Sequence, residues 1–123
     1  MSHRSLYLSA ALFNGLVGLG LLFALTPLLP LLQLAPMTGA AQLFVDLFAV
    51  LVCGFGIAYY LLAIDFERYR VLAALGAGAK LAVVALVLCY YLAGHIAWPL
   101  LALSGGDFIY ALVFIGTLRK PTA

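Results

Sequence analysis

The segments LFVDLFAVLVCGFGIAYYLLAI (residues 43–64), DFERYR (residues 65–70) and VLAALGAGAKLAVVALVLCYYLA (residues 71–93) follow one another directly. The first and third are each near the roughly 20 apolar residues that a helix needs to cross the hydrocarbon core of a bilayer. The charged segment between them is too polar to enter it. In lipid every backbone N–H and C=O needs an internal partner, and long runs of Leu, Ala and Val meet that demand as helices. The three segments therefore predict two membrane helices joined by a short polar turn.

The rest of the chain extends the pattern. Of its 123 residues 67% are hydrophobic and 8% charged, with a mean hydropathy of +1.24, far from the roughly 25% charge of soluble domains. Two more apolar runs, residues 6–29 and 96–118, complete four predicted spans. The expected fold class is all-α, an integral membrane four-helix bundle in a single domain over residues 1–123, with no room for a further soluble domain. Arg4 precedes the first run, which exceeds the roughly 7 to 15 apolar residues of a cleaved signal, so the first helix is read as retained.

Lys and Arg set the orientation. Arg4 stands before the first span, Arg68 and Arg70 between the second and third, and Arg119 and Lys120 after the fourth, while the other two loops carry none. Basic residues stay on the cytoplasmic side, which places both termini there. Thr26-Pro27 and Pro30 are expected to close the first helix near its end. Tyr7, Tyr69, Tyr90, Tyr91 and Trp98 fall near predicted interfaces and read as aromatic anchors.

Function is sought in the ionisable residues inside the apolar runs, Asp46, Lys80 and Asp107. Such a side chain costs several kcal/mol to insert, so it is normally paired and inward-facing. At about 1.5 Å per residue from the span midpoints, Asn14, Lys80 and Asp107 share a level near the bilayer centre. Lys80 and Asp107 are expected to form an ion pair, since an unpaired charge would cost more, and Tyr110 offers the carboxylate a phenol. Small neighbours on the same faces, such as Ala10 and Gly18 or Ala73, Gly76 and Ala77, suit a bundle interior. Asp46, about 10 Å nearer the other face by the same rise, is expected beside Gln42 and His95, or beside water entering from that face, rather than against Lys80. As the surplus carboxylate it is read as a proton-binding site.

Other chemistries lose their parts. Cys53 and Cys89 form no C-x-x-C pair, lie at different depths and read as small core residues. His95 is alone, so no metal site is expected. No basic patch offers a nucleic-acid footprint. Gly105 and Gly106 ahead of Asp107 permit either close helix packing or a local break.

The run GIAYYLLAIDFERYR (residues 56–70), followed by Gly76 and Lys80 and later by Gly94 and Asp107, resembles small bacterial four-helix membrane proteins of the DoxX-like type. Phe66 stands where that family typically has proline after the loop aspartate. The resemblance implies the bacterial inner (plasma) membrane, in a group where a few members are linked to sulfur or quinone redox chemistry. It carries over Lys80 and Asp107 as signature polar positions and no catalytic residue. The expected function is that of a non-enzymatic accessory protein, or a bundle holding a small ligand such as a quinone or lipid against Asn14, Lys80 and Asp107. A quinone has no specific motif behind it. A small proton-coupled transporter or channel subunit, with Asp46 and Asp107 as carriers, is the alternative. Expected partners are the bilayer, a second copy of the chain, or a redox or transport subunit.

Overall fold

The computed structural model describes residues 2–119, so Lys120, one of the two basic residues read after the fourth span, lies outside the described residues. Four helices are long and apolar enough to cross a membrane, α1 (His3–Phe23), α3 (Ala40–Ile64), α4 (Arg70–Leu92) and α5 (Trp98–Arg119), with a short α2 (Leu25–Leu31) after the first. No strand occurs among the described residues.

The first span is shorter than residues 6–29. Pro27 has no N–H to offer the carbonyl of Phe23, and its ring crowds that carbonyl. The helix ends at Phe23, Ala24 turns out of helical geometry at φ −128° and ψ 30°, and the chain restarts as α2. Leu25 and Leu29 of α2 are buried, and its Leu28 lies over Gly20 of α1. Pro99, by contrast, sits in the first turn of α5, where no intrahelical donor is lost.

Polarity is turned inside out relative to a soluble protein. Leu12, Leu16, Leu51, Val71, Leu86 and Ile109 are exposed on the outer faces, while Asn14, Lys80, Ser104 and Thr117 are buried. An apolar exterior this extensive suits lipid as its solvent and would aggregate in water. The chain has the build of a multi-pass membrane protein.

Consecutive spans run antiparallel and form two close pairs. Gly18 of α1 lies against Cys53 and the Ala49 carbonyl of α3, and Gly56 of α3 lies against the Ala11 carbonyl and Asn14 of α1. Small residues let these backbones approach, which is how helices associate in lipid. The second pair, α4 and α5, is tied by Lys80 with Asp107 and by Arg70 donating to the Leu118 carbonyl at 2.5 Å. Large side chains fill the space between the pairs. Tyr7, Tyr59, Leu62 and Phe114 are fully buried there, and Tyr7 stacks on Phe114 with ring centres 4.7 Å apart.

This aromatic plug sits at the end of the bundle that holds the first residues of α1, the turn at residues 65–69 and the last residues of α5. Tyr7 is therefore a core residue and not the interface anchor expected from its position, because Thr117 supplies its hydroxyl with a partner at 2.8 Å. Thr117 in turn donates to the Phe114 carbonyl at 2.6 Å, which makes Tyr7 the donor to Thr117. Phe66 joins the plug against His3 and Tyr7 and lies under the Arg70 guanidinium at 5.4 Å.

Candidate functional site: a polar centre under an apolar cavity

Lys80 stands where all four spanning helices converge. Its ammonium donates to Asp107 Oδ1 of α5 at 2.5 Å and to Asn14 Oδ1 of α1 at 3.2 Å. Asn14 Nδ2 donates to the Val52 carbonyl of α3 at 3.1 Å, so the amide links the cation to the helix that brings it no charge. A backbone carbonyl has two lone pairs and can take this second bond without leaving its helix. Three rings complete the enclosure, with Phe13 and Tyr59 centred 5.4 Å and Tyr110 5.6 Å from Nζ. The negative faces of aromatic rings attract a cation, most strongly where water is excluded.

The sequence placed Asn14, Lys80 and Asp107 at one depth, and the structure joins them. Tyr110 belongs to the same centre in a different role. Its hydroxyl donates to Ser9 at 3.0 Å and not to the Asp107 carboxylate, because Ser9, one helical turn from Phe13, presents an acceptor in front of it while the ring turns its face to Lys80. Ser9 donates onward to the Leu6 carbonyl. Gly105 and Gly106 leave α5 unbroken, and Gly106 receives the Phe13 ring, so the glycine pair serves close packing.

Asp46 stands apart. It is half-buried on α3 and among the described residues makes no hydrogen bond or ion pair with Gln42, His95 or any other group. His95 instead meets the Tyr90 ring edge-on at 6.0 Å. Cys89 is exposed rather than a core residue, and Cys53 is half-buried against Gly18. No group of His, Cys, Asp and Glu among the described residues could hold a metal ion.

Above the polar centre, away from the aromatic plug, the two helix pairs separate around a cavity of about 390 Å³. Its walls are apolar, with Val17, Phe55, Val83, Val87 and Leu103 among them, and Leu32 beyond α2 reaches in from the far end. Asn14, Lys80, Ser104 and Asp107 supply its polar groups. Phe48 and Leu51 line it too, yet are 44% and 65% exposed on the outer surface. The volume lies at the lower end of the roughly 300 to 1,000 Å³ of ligand sites, whose build of apolar walls and few polar groups it shares.

Sequence reasoning missed Phe13, Tyr59 and the Val52 carbonyl as parts of the centre. An aromatic in an apolar run carries no mark of the charge it faces, and a backbone carbonyl carries no mark at all. No family model matches the chain, and neither the curated proteins nor the solved structures give a match.

Proposed function

We propose that the protein is a non-enzymatic bundle of the bacterial inner membrane, of the DoxX-like type, that holds a small apolar or amphipathic ligand of the quinone or lipid kind. The cavity carries this reading: it is apolar in its walls, polar at one end, and lined on one side by the exposed residues Phe48 and Leu51. A long tail does not fit in about 390 Å³, so the head occupies the cavity and the tail leaves past those two residues. The Lys80 and Asp107 charges cancel, which lets a neutral head sit against them without a net charge in the hydrocarbon.

Val83→Trp tests the reading by filling the cavity from α4. Extraction of the protein with its native lipids, followed by solvent extraction and mass spectrometry, is expected to show one lipophile enriched about tenfold over the bulk membrane, a preference of about 1.4 kcal/mol. Val83→Trp loses that enrichment and keeps the helical fold. The same lipid profile from both proteins would overturn the reading.

Both termini are proposed to be cytoplasmic, since Arg4, Arg68, Arg70 and Arg119 gather at the plugged end of the bundle. In a background with Cys53 and Cys89 replaced by alanine, Thr38→Cys is expected to react with an impermeant maleimide in intact cells. Ser2→Cys is expected to react only after the membrane is opened. The reverse pattern would invert the orientation.

A further inference from the structure

Resting on the ligand-binding reading, we propose that α2 is the lid of the cavity. It swings as a unit about Ala24 and Gly39 and admits the head of the ligand at the end of the bundle opposite the aromatic plug. The plugged end offers no way in, because Tyr7, Tyr59, Leu62 and Phe114 are fully buried there. At the other end the cavity is lined by Leu32, the residue that caps α2. Every other lining residue among the described ones belongs to a spanning helix. Leu32 is thus the one part of the wall that can leave without moving a span.

The way α2 is held sets it apart from the spans. Leu25, Leu28, Leu29 and Leu32 recur at the spacing of one helix face. Leu25 and Leu29 are buried, and Leu28 lies over Gly20 of α1, while Thr26, Pro27, Pro30 and Leu31 are exposed. Apolar contact is the whole of the hold, since among the described residues no hydrogen bond or ion pair joins residues 25–38 to a spanning helix. Parting the spans around the polar centre would break the bonds of Lys80 to Asn14 and Asp107, whereas tipping α2 breaks none. Lipid is as apolar as the bundle interior, so a lid that tips into lipid carries its leucines from one apolar medium to another and leaves none of them in water.

The backbone on either side is built to turn. Ala24, between α1 and α2, stands at φ −128° and ψ 30°. Gly39, ahead of α3, stands at φ 62° and ψ −129°, a conformation that glycine enters without strain, and nothing lies within 4 Å of a Cβ added there. Hinges are a few such positions at the ends of elements, which absorb the backbone rotation. Between them α2 closes its own end. With Gln33 at φ 55°, the Leu34 N–H donates to the Leu29 carbonyl at 2.8 Å and the Gln33 N–H to the Pro30 carbonyl at 3.1 Å. These bonds travel with the segment, so α2 moves as a helix and takes Leu32 with it.

Locking α2 onto α1 tests the lid. In a full chain with Cys53 and Cys89 replaced by alanine, Gly20→Cys and Leu28→Cys are bridged by a bis-methanethiosulfonate with a two-carbon spacer, which a reductant releases. The two positions face each other, with Leu28 Cδ1 3.4 Å from a Cβ added at Gly20. The protein in phosphatidylcholine nanodiscs is mixed with dodecanol carrying a photoreactive diazirine and illuminated at successive times. Labelling of the α4 and α5 peptides that line the cavity is counted by mass spectrometry, with Val83→Trp as the blocked background. Entry through a lid scales with its open fraction, so the bridged protein is expected to label at least about tenfold more slowly, and reductant to restore the rate. Without the bridge, Leu29→Ala loosens α2 and leaves the cavity lining intact, and is expected to speed labelling at least about threefold. That variant decides the matter should the cysteine pair not fold. A rate unchanged by the bridge, or unchanged by Leu29→Ala in folded protein, would overturn the lid and leave the ligand-binding reading standing. No labelling of the unbridged protein above the Val83→Trp background would overturn both.

Discussion

Lys80→Met is expected to leave little folded protein, and Lys80→Met combined with Asp107→Leu to recover a substantial part of it. The single change removes the one cation paired with Asp107 among the described residues while leaving that carboxylate between helices. Breaking a buried pair from one side costs about 3 to 5 kcal/mol, because the remaining charge keeps its desolvation penalty without its partner. That is comparable to much of the total stability of a small domain. The double change removes both charges, and similar replacements of buried pairs by apolar groups are often neutral. Recovery is incomplete here, because Asn14 Oδ1 loses its donor, a penalty of about 1 to 3 kcal/mol for an unsatisfied buried acceptor. Unfolding of the three proteins in detergent, followed by circular dichroism, should rank wild type first, the double variant second and the single variant last. A double variant no more stable than Lys80→Met would show that the pair is not what the single change disrupts.

The second large effect belongs to Gly18, at the closest approach of α1 and α3. A Cβ there would lie 2.5 Å from Cys53 Sγ and 3.0 Å from the Ala49 carbonyl oxygen. The sulfur can rotate aside, but the carbonyl is held in its helix, so Gly18→Val has to push the two helices apart. Overpacking of this kind typically costs 1 to 3 kcal/mol, and here it also shifts Asn14, one turn away, from the Val52 carbonyl. Gly78 is the matched control. It lies on the outer face of α4 with nothing within 4 Å of an added Cβ, so Gly78→Val is expected to change stability by less than about 0.5 kcal/mol. Thermal unfolding midpoints measured side by side decide the matter, and equal losses from both substitutions would remove Gly18 as the determinant of the close pair.

The polar centre illustrates how far side-chain type carries. Depth along a helix is a count of residues, so Asn14, Lys80 and Asp107 could be set at one level before any packing was known. Which atoms meet is a matter of rotation and neighbours. The place of Tyr110 on α5 points it at the carboxylate, and Ser9 on α1 claims its hydroxyl instead. The position of Tyr7 near a span end predicts an interface anchor, and Thr117, remote in sequence, draws it into the core. Asp46 remained apart from the centre, as its depth implied, but the expected partners Gln42 and His95 do not reach it.

The sequence by itself determined that four helices are built to cross a membrane, about where the last three begin and end, and which charges have to be accommodated inside. It could do so because the cost of placing a side chain in hydrocarbon is a property of single residues, summed along a window. Tertiary structure alone decided that α1 pairs with α3 and α4 with α5, and that a cavity opens between the pairs with Asn14, Lys80 and Asp107 at its polar end. Lipid is as apolar as the helices, so nothing in hydropathy ranks one neighbour over another. Neighbours are chosen by the fit of particular surfaces, a glycine against a carbonyl or three rings around an ammonium, and that fit exists only once residues far apart in the chain have come together.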